Sequence, residues 1–560
     1  VTLTPATHAA AAFERSLGDP RDPTLPTSFA AALAADAAES FPAAAFEALD
    51  AIGLARFYVP AADGGSLHSL EDLAAVVRAV ARRDLTLAIA HAKTFLGAAP
   101  VWVAGSSAQR ERLAVELIAG QRVSLGLTEE AHGGDLLATE TFAARDGDGY
   151  RLTGTKWLIN NATRGDALAV FARTDPRGGA RGFSLLLVRK ADDPHFTCLP
   201  KIATHGIRGA DISGVRFEGC AVPASARVGA EGHGLELIMK VLQVTRSFVP
   251  ALSLGALDTG LRHVLAFARS RRIGGGAVVE LPHARGVLAD AFIELLLGEA
   301  VTRVTARSVS AAPERLAVTS AVAKYLVPTR VDAALGSLAV VLGARHYLRG
   351  DLLEKVRRDH SLVALFDGST VVNLNALAQE LPRLHDPAAR RDDASYRLAE
   401  PAPPFCFERL DLVARGDDLF TPLAHARERI LSATDLADDL RAELAARVGD
   451  IATGLRATTG AHAPRERSLA QSPEAFANAA RFARYHAARS CVLAWVASRH
   501  ALDDFFAGGE WLGLALRRLV EPDGPPAPPA WRQRVFERLL ALDAAGATFA
   551  FEPLTAETRS

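Results

Sequence analysis

Apolar positions along the chain follow two rhythms. From about residue 28 to 120 they recur at three- and four-residue steps, as in AAALAADAAESFPAAAFEALDAIGLARF and SLEDLAAVVRAVARRDLTLAIAHAKTFLG. That spacing lines one face of a helix, so helices are predicted there. VPAADGGSL, between them, reads as a turn because of its Pro and paired Gly. From about 121 to 232 the rhythm shortens. RVSLGLT, YRLTGTKWLI, ALAVFART and GFSLLLVRK are brief apolar pieces separated by Gly, Asp, Asn and Pro, which predicts strands in a β-barrel or sandwich. Helical spacing returns with LELIMKVLQVTRSFVPALSLGALDTGLRHVLAFARSRR and runs to about 383, enough for a four-helix-type bundle. HDPAARRDDASYRLAEPAPPF reads as a linker, and the rest is helical again apart from EPDGPPAPPA.

The expected fold class is therefore α+β and multidomain. Its parts are an N-terminal helical domain (1–120), a central β-barrel or sandwich (121–232), a helical bundle (233–384), a linker (385–405) and an extra C-terminal helical domain (406–560). A chain of 560 residues exceeds what one core supports, in keeping with several units.

Composition narrows the function. With 49% hydrophobic residues, 23% charged and a net charge of −1, nothing points to nucleic acid or to an acidic membrane surface. The four cysteines are far apart, without a CxxC pair or a His cluster at ligand spacing, so no metal site is expected. They read as idle thiols in a reducing cytoplasm. VTLTPATHAAAAFERS lacks the basic start and apolar run of a secretory signal. No stretch reads as the ~20 apolar residues of a membrane span, and membrane contact is not expected.

ALFDGST, residues 364–370, carries the sharpest chemical question. Asp, Gly, Ser and Thr are all common just ahead of a helix, and VVNLNALAQEL follows with helical spacing. Taken alone, Asp367 reads as a helix cap.

Seven fragments alter that reading, in order along the chain. LDAIGLARFYVPAADGG, LTEEAHGGD, GYRLTGTKWLINNATRGDALAVFART, KIATHGIRGADISGVRFEGCAVP, VGAEGHGLELIMKVL, FARSRRIGG and EKVRRDHSLVALFDGST together resemble the acyl-CoA dehydrogenase family over roughly residues 45–380. The resemblance implies FAD where helical domain, β-domain and bundle meet, and an acyl thioester substrate on CoA or an acyl carrier protein. Asp367 stands where the family usually has a Glu that removes the α-proton. A carboxylate beside apolar Leu365 and Phe366 is expected to be partly dehydrated and a better proton acceptor for it. Asp is one methylene shorter than Glu. Some relatives carry the base on the first bundle helix, but the matching residue here is Thr245, which cannot accept that proton at neutral pH.

The other site residues follow from the same resemblance. Leu125, Leu127 and Thr128 match flavin-ring contacts; Gly133 and Gly134 match a Gly-Ser turn, with Gly134 in the serine's place. Leu158, Ile159 and Asn160 match an aromatic-Ile-Thr trio, with Asn160 able to donate near the ring. Arg271 matches an arginine that reaches the FAD pyrophosphate of a neighbouring subunit, which suits a guanidinium's fork and charge. Gly343 keeps its place, while Gly274, Val340, Ala344 and Val371 stand where the family commonly has Phe, Gln, Gly and Gln. Ser369 stands for the family's Thr. Thr245, Arg246, Phe366 and Gly368 match substrate-side positions, and the backbone N–H of Asp367 matches an oxyanion-hole donor. The segment past 383 loosely resembles the extra domain of very-long-chain-type members and implies a homodimer. The electron acceptor implied is an electron-transfer flavoprotein or oxygen. Two other readings remain open: a flavin monooxygenase or oxidase on the same fold, and a catalytically impaired acyl-thioester-binding protein.

Overall fold

The computed structural model describes residues 4–384, 394–414, 416–460 and 472–554. They form two compact units. One comprises Asp19–His68 and Asp84–Thr245, the other Val1–Gly18, Ser69–Arg83 and Arg246–Ser560.

The first unit holds the sheet. Its strands are β1 (Val123–Gly126), β2 (Phe142–Asp146), β3 (Gly149–Asn160), β4 (Ala167–Arg173), β5 (Phe183–Arg189), β6 (Phe196–Leu199), β7 (Ile212–Val222) and β8 (Arg227–Val228). They lie in the order β6-β7-β3-β2-β4-β5-β8, with β1 parallel to β4. Strands β4 and β5 are buried along almost their whole length, so their sequences are unbroken apolar runs rather than alternating ones. Tyr150, Leu152, Ile159, Val170, Val215 and Phe217 are buried together in the core.

Of the expected barrel or sandwich, the closed barrel does not form; the sheet is open. Its end strands are β6 and β8. Two features prevent closure: β2 meets β4 at the single pair Phe142–Arg173, and β8 is two residues long. Neither leaves a register that could run around a closed barrel.

Helix Leu85–Ala104 is buried in this unit and lies very close to β1. A Cβ built at Gly97 would sit 2.2 Å from the Val123 carbonyl oxygen, so only glycine admits this approach. Gly97→Ala is expected to destabilise the protein by about 1–3 kcal/mol through overpacking, measured by denaturant unfolding.

The second unit is helical. Its main helices include Pro5–Leu17, Leu70–Ala81, Pro250–Ser270, Pro282–Ala311, Leu316–Leu342 and Thr370–Glu380, followed by Asp438–Thr459, Pro473–Ser498 and Glu510–Val520. Two N-terminal pieces, 1–18 and 69–83, thus cluster with the bundle rather than with the rest of 1–120. Buried charge explains it. Glu14 pairs with Arg82 and, at 2.9 Å, with Arg83, while Arg82 also reaches Asp258 at 3.3 Å.

Nor do the extra helices form a separate compact unit. The stretch read as a linker is packed in its second half. Tyr396 and Leu398 are buried, Arg307 donates to the carbonyls of Ala394 and Glu400, and the Leu398 N–H donates to Ser498 Oγ. Residues 385–393 lie outside the described residues.

Contrary to the sequence reading, three helical stretches are long and apolar enough to cross a membrane: Leu85–Ala104, Gly234–Ser270 and Pro313–Tyr347. The first two are largely buried within the protein and the third is half-buried. Their heavy use of Ala and Gly hides this length in a simple reading of apolar runs.

His486 is buried on helix Pro473–Ser498, and among the described residues neither ring nitrogen has a hydrogen-bond partner. Burial, reinforced by Arg489 and Arg315 and opposed by Asp417, pushes it down to about 3. The unfolded chain then takes up this proton near the ordinary value of 6.5, before the folded one does. Stability is expected to fall as pH drops from 6.5 towards 3, by about 1.4 kcal/mol per unit from this group alone. Chemical unfolding of His486→Leu across that range should show a shallower decline.

Candidate active site

In the helical unit, Arg246, Phe366, Asp367, Gly368 and Ser369 come together at one turn. Asp367 has φ +55° and Gly368 φ +101°, so two successive residues take the left-handed region. That conformation is strained for Asp and ordinary for Gly. Three side chains grip its backbone carbonyls. Arg246 Nε donates to the Asp367 carbonyl at 2.7 Å. Lys324 Nζ donates to the carbonyls of Val363 at 2.7 Å and Gly368 at 3.2 Å. Asn373 Nδ2 donates to the Gly368 carbonyl at 2.8 Å. A Cβ on Gly368 would lie 2.5 Å from the Arg246 guanidinium, so no other residue fits there unchanged.

The cap of helix Thr370–Glu380 is Ser369, whose Oγ accepts from the Val372 N–H at 3.4 Å. The role that Asp367 suggested when taken alone therefore belongs to its neighbour. Leu365 is 60% exposed and Asp367 is half-buried, so the apolar enclosure expected from Leu365 does not form in this chain. Phe366 is half-buried with the Lys324 ammonium 5.4 Å from its ring centroid. Arg246 is buried rather than solvated. Burial pushes it down to about 10, the Asp367 carboxylate opposing the shift. Thr245, the preceding residue, is fully buried and its hydroxyl donates to the Leu242 carbonyl at 3.3 Å. Arg271 and Gly343 lie apart from this turn, both exposed, and Gly343 ends helix Leu316–Leu342 with φ +66°.

In the sheet unit a second group forms. Leu125 on β1, Leu127 and Thr128 just after it, and Leu158, Ile159 and Asn160 at the end of β3 are neighbours through the Trp157 N–H, which donates to the Thr128 carbonyl at 2.9 Å. The β3–β7 register shifts between Lys156 and Ile159, and Leu158 takes φ +55° with 39% of its surface exposed. Leu125 and Ile159 are buried. Both the amide nitrogen and the amide oxygen of Asn160 are buried without a hydrogen-bond partner. An unsatisfied buried amide beside an exposed leucine is costly in an isolated protein and fits the polar edge and flat face of a ring system. Gly133 and Gly134 sit on an exposed loop with open space around them. These residues fit a flavin.

Sequence reasoning missed what braces both groups. Glu129 accepts from Lys156 Nζ at 2.7 Å, Thr141 Oγ1 at 2.6 Å and the N–H groups of Glu140 and Thr141. Burial would raise the Glu129 carboxyl, but Lys156 and these donors outweigh it and hold it at about 2. The pair ties the loop after β1 to β3. The signal was present in the Glu of LTEE and the Lys of GTKW. Lys324, likewise, is a solitary cation in the apolar run LAVTSAVAKYLVPT.

Comparison with known proteins decides the relationship. Residues 28–121, 124–220 and 232–381 match the N-terminal, middle and C-terminal domains of acyl-CoA dehydrogenase in succession. The chain belongs to the acyl-CoA dehydrogenase family. It is an oxidoreductase of that kind, whose members are flavoproteins acting on the CH–CH group of acyl-CoA. Cyclohex-1-ene-1-carbonyl-CoA dehydrogenase of Geobacter metallireducens is 29% identical over 348 residues, covering 61% of this chain and 90% of the relative. The butyryl-CoA dehydrogenase structure from Megasphaera elsdenii superposes with a TM-score of 0.61 at 22% identity, over 67% of this chain and 97% of that one. The prolyl acyl carrier protein oxidase AnaB gives 0.58 at 23% identity, over 66% and 95%. The matched region ends at residue 381, with the bundle; the residues beyond it lie outside the match.

Proposed function

We propose that this acyl-CoA dehydrogenase binds FAD and removes hydrogen from the α- and β-carbons of an acyl thioester, with Asp367 as the α-proton base. The observation that carries the reading is the turn at Asp367: a left-handed acidic residue, held through carbonyls by buried Arg246 and Lys324, with helix capping left to Ser369. Strain maintained by buried braces at one acidic residue is characteristic of a working site.

Each residue then has a defined task. Asp367 accepts the α-proton, and its N–H donates to the thioester oxygen as negative charge develops. Arg246 and Lys324 fix the carbonyls of the turn and so aim the carboxyl. Asn160 would offer its unpaired amide to the flavin, and Leu158 and Leu127 would give it apolar contact. The flavin, when bound, supplies the acceptor for the β-hydride. Thr128, Gly133 and Gly134 line its approach, and Ser369 and Phe366 flank the acyl thioester. A homodimer is part of the proposal. Arg271 is exposed, and Val340, Tyr347 and Val371 are 67%, 86% and 58% exposed, which suits a second copy covering them. Electrons leave to an electron-transfer flavoprotein or to oxygen.

Product analysis tests the proposal. Incubation with a panel of saturated acyl-CoA and acyl carrier protein thioesters and an artificial electron acceptor is expected to give a 2-enoyl thioester. A hydroxylated product would instead assign oxygenase chemistry.

A further inference from the structure

A cavity of about 370 Å³ opens among helices Pro282–Ala311, Leu316–Leu342, Pro473–Ser498 and Glu510–Val520, all within the helical unit. That volume holds about a dozen waters at ~30 Å³ each. Two of its lining residues, Arg484 and Arg518, come from the region beyond residue 381, outside the family match. None of its lining residues is among those assigned to the flavin or to the Asp367 turn.

Its charges do not balance. Glu294 is buried and held by Arg330, through two bonds of 2.5 Å, and by Arg518 at 2.6 Å. Asp290 pairs with Arg518 at 3.3 Å and with Arg532 at 3.2 Å. That leaves Arg484. Among the described residues its guanidinium has no hydrogen bond or ion pair, and the hydroxyl of Tyr325, which lines the same cavity, has none either. Both side chains are half-buried. Burial pushes the Tyr325 phenol up, with Arg484 opposing, so the phenol stays a proton donor. Val287, Leu326 and Ala333 supply apolar wall. One unmatched guanidinium, one phenol donor and a small apolar surface converge on a single space.

We propose that this cavity binds a small organic monocarboxylate, with its carboxylate on Arg484 and Tyr325 and its short apolar body along Val287, Leu326 and Ala333. A guanidinium fork matches a carboxylate in two parallel bonds, and the phenol donates to a remaining lone pair.

Calorimetric titration of the purified full-length chain with hexanoate, benzoate and inorganic phosphate tests this. At least one of the two carboxylates is expected to bind once per chain. Arg484→Met should weaken that binding at least tenfold and Tyr325→Phe a few-fold, with flavin content and thioester turnover unchanged in both. Failure of both carboxylates to saturate would overturn the proposal, as would carboxylate binding equal to wild type in both variants, which places it elsewhere. Arg484-dependent binding of phosphate alone would overturn the assignment to organic acids. Should Arg484→Met not fold, Arg484→Lys replaces it, and the loss of the fork should still weaken binding.

Discussion

Replacing Asp367 with Asn is expected to slow reduction of the bound flavin by its acyl thioester by on the order of a thousandfold, the scale of a lost general base. The amide is nearly the same shape but cannot accept the α-proton. The turn should survive the change, because Arg246, Lys324 and Asn373 grip the carbonyls of residues 363, 367 and 368, contacts that the amide leaves in place. Flavin content is therefore expected to stay at the wild-type level. Asp367→Glu restores the family's usual residue and should keep far more activity than the amide. Anaerobic stopped-flow absorbance checks both variants. An Asn variant within tenfold of wild type would remove Asp367 from the role of base.

The second large effect is on stability. Glu14→Ala is expected to cost about 3–5 kcal/mol, because it leaves buried Arg82 and Arg83 without their shared carboxylate. Asp258 still faces Arg82, and the carbonyls of Ala79 and Gly18 still face Arg83, which favours the lower end. Urea unfolding of the variant beside wild type measures it. A pH dependence accompanies it. Burial would raise the Glu14 carboxyl, but the two arginines outweigh that and hold it well below the usual carboxylate range. The unfolded chain therefore protonates first as pH falls. The contribution is complete above the ordinary value of 4.5 and is lost as pH falls below it. Wild type should lose stability in acid that the Ala variant has already lost.

Much of this fold was legible because helices and strands differ in period, and period survives in a bare sequence. What escaped depends on contacts without periodicity. Closure of the sheet turned on the single Phe142–Arg173 pair and on a two-residue β8, neither of which leaves a pattern. Residues 394–400 looked like linker because their side chains are polar or isolated, yet their carbonyls are gripped by Arg307 and Tyr396 is buried against Arg489. The pairing of 1–18 with the bundle is made by ion pairs across distant parts of the chain. At the turn of residues 366–369, the motif singled out Asp367 and Gly368, while the left-handed backbone, the brace from Lys324 and the exposure of Leu365 are set by tertiary packing. Asn160 shows the converse. As a substitution for Thr it read only as still able to donate near a ring, whereas in the fold both its amide atoms are buried without a partner.

Anaerobic titration of the purified protein with a panel of acyl-CoA thioesters, followed by flavin absorbance, tests the central claim most directly. The account predicts a yellow protein that at least one thioester bleaches, with an equivalent of 2-enoyl product for each flavin reduced. A protein that stays colourless when FAD is supplied, or a yellow one that no acyl thioester bleaches, would contradict it.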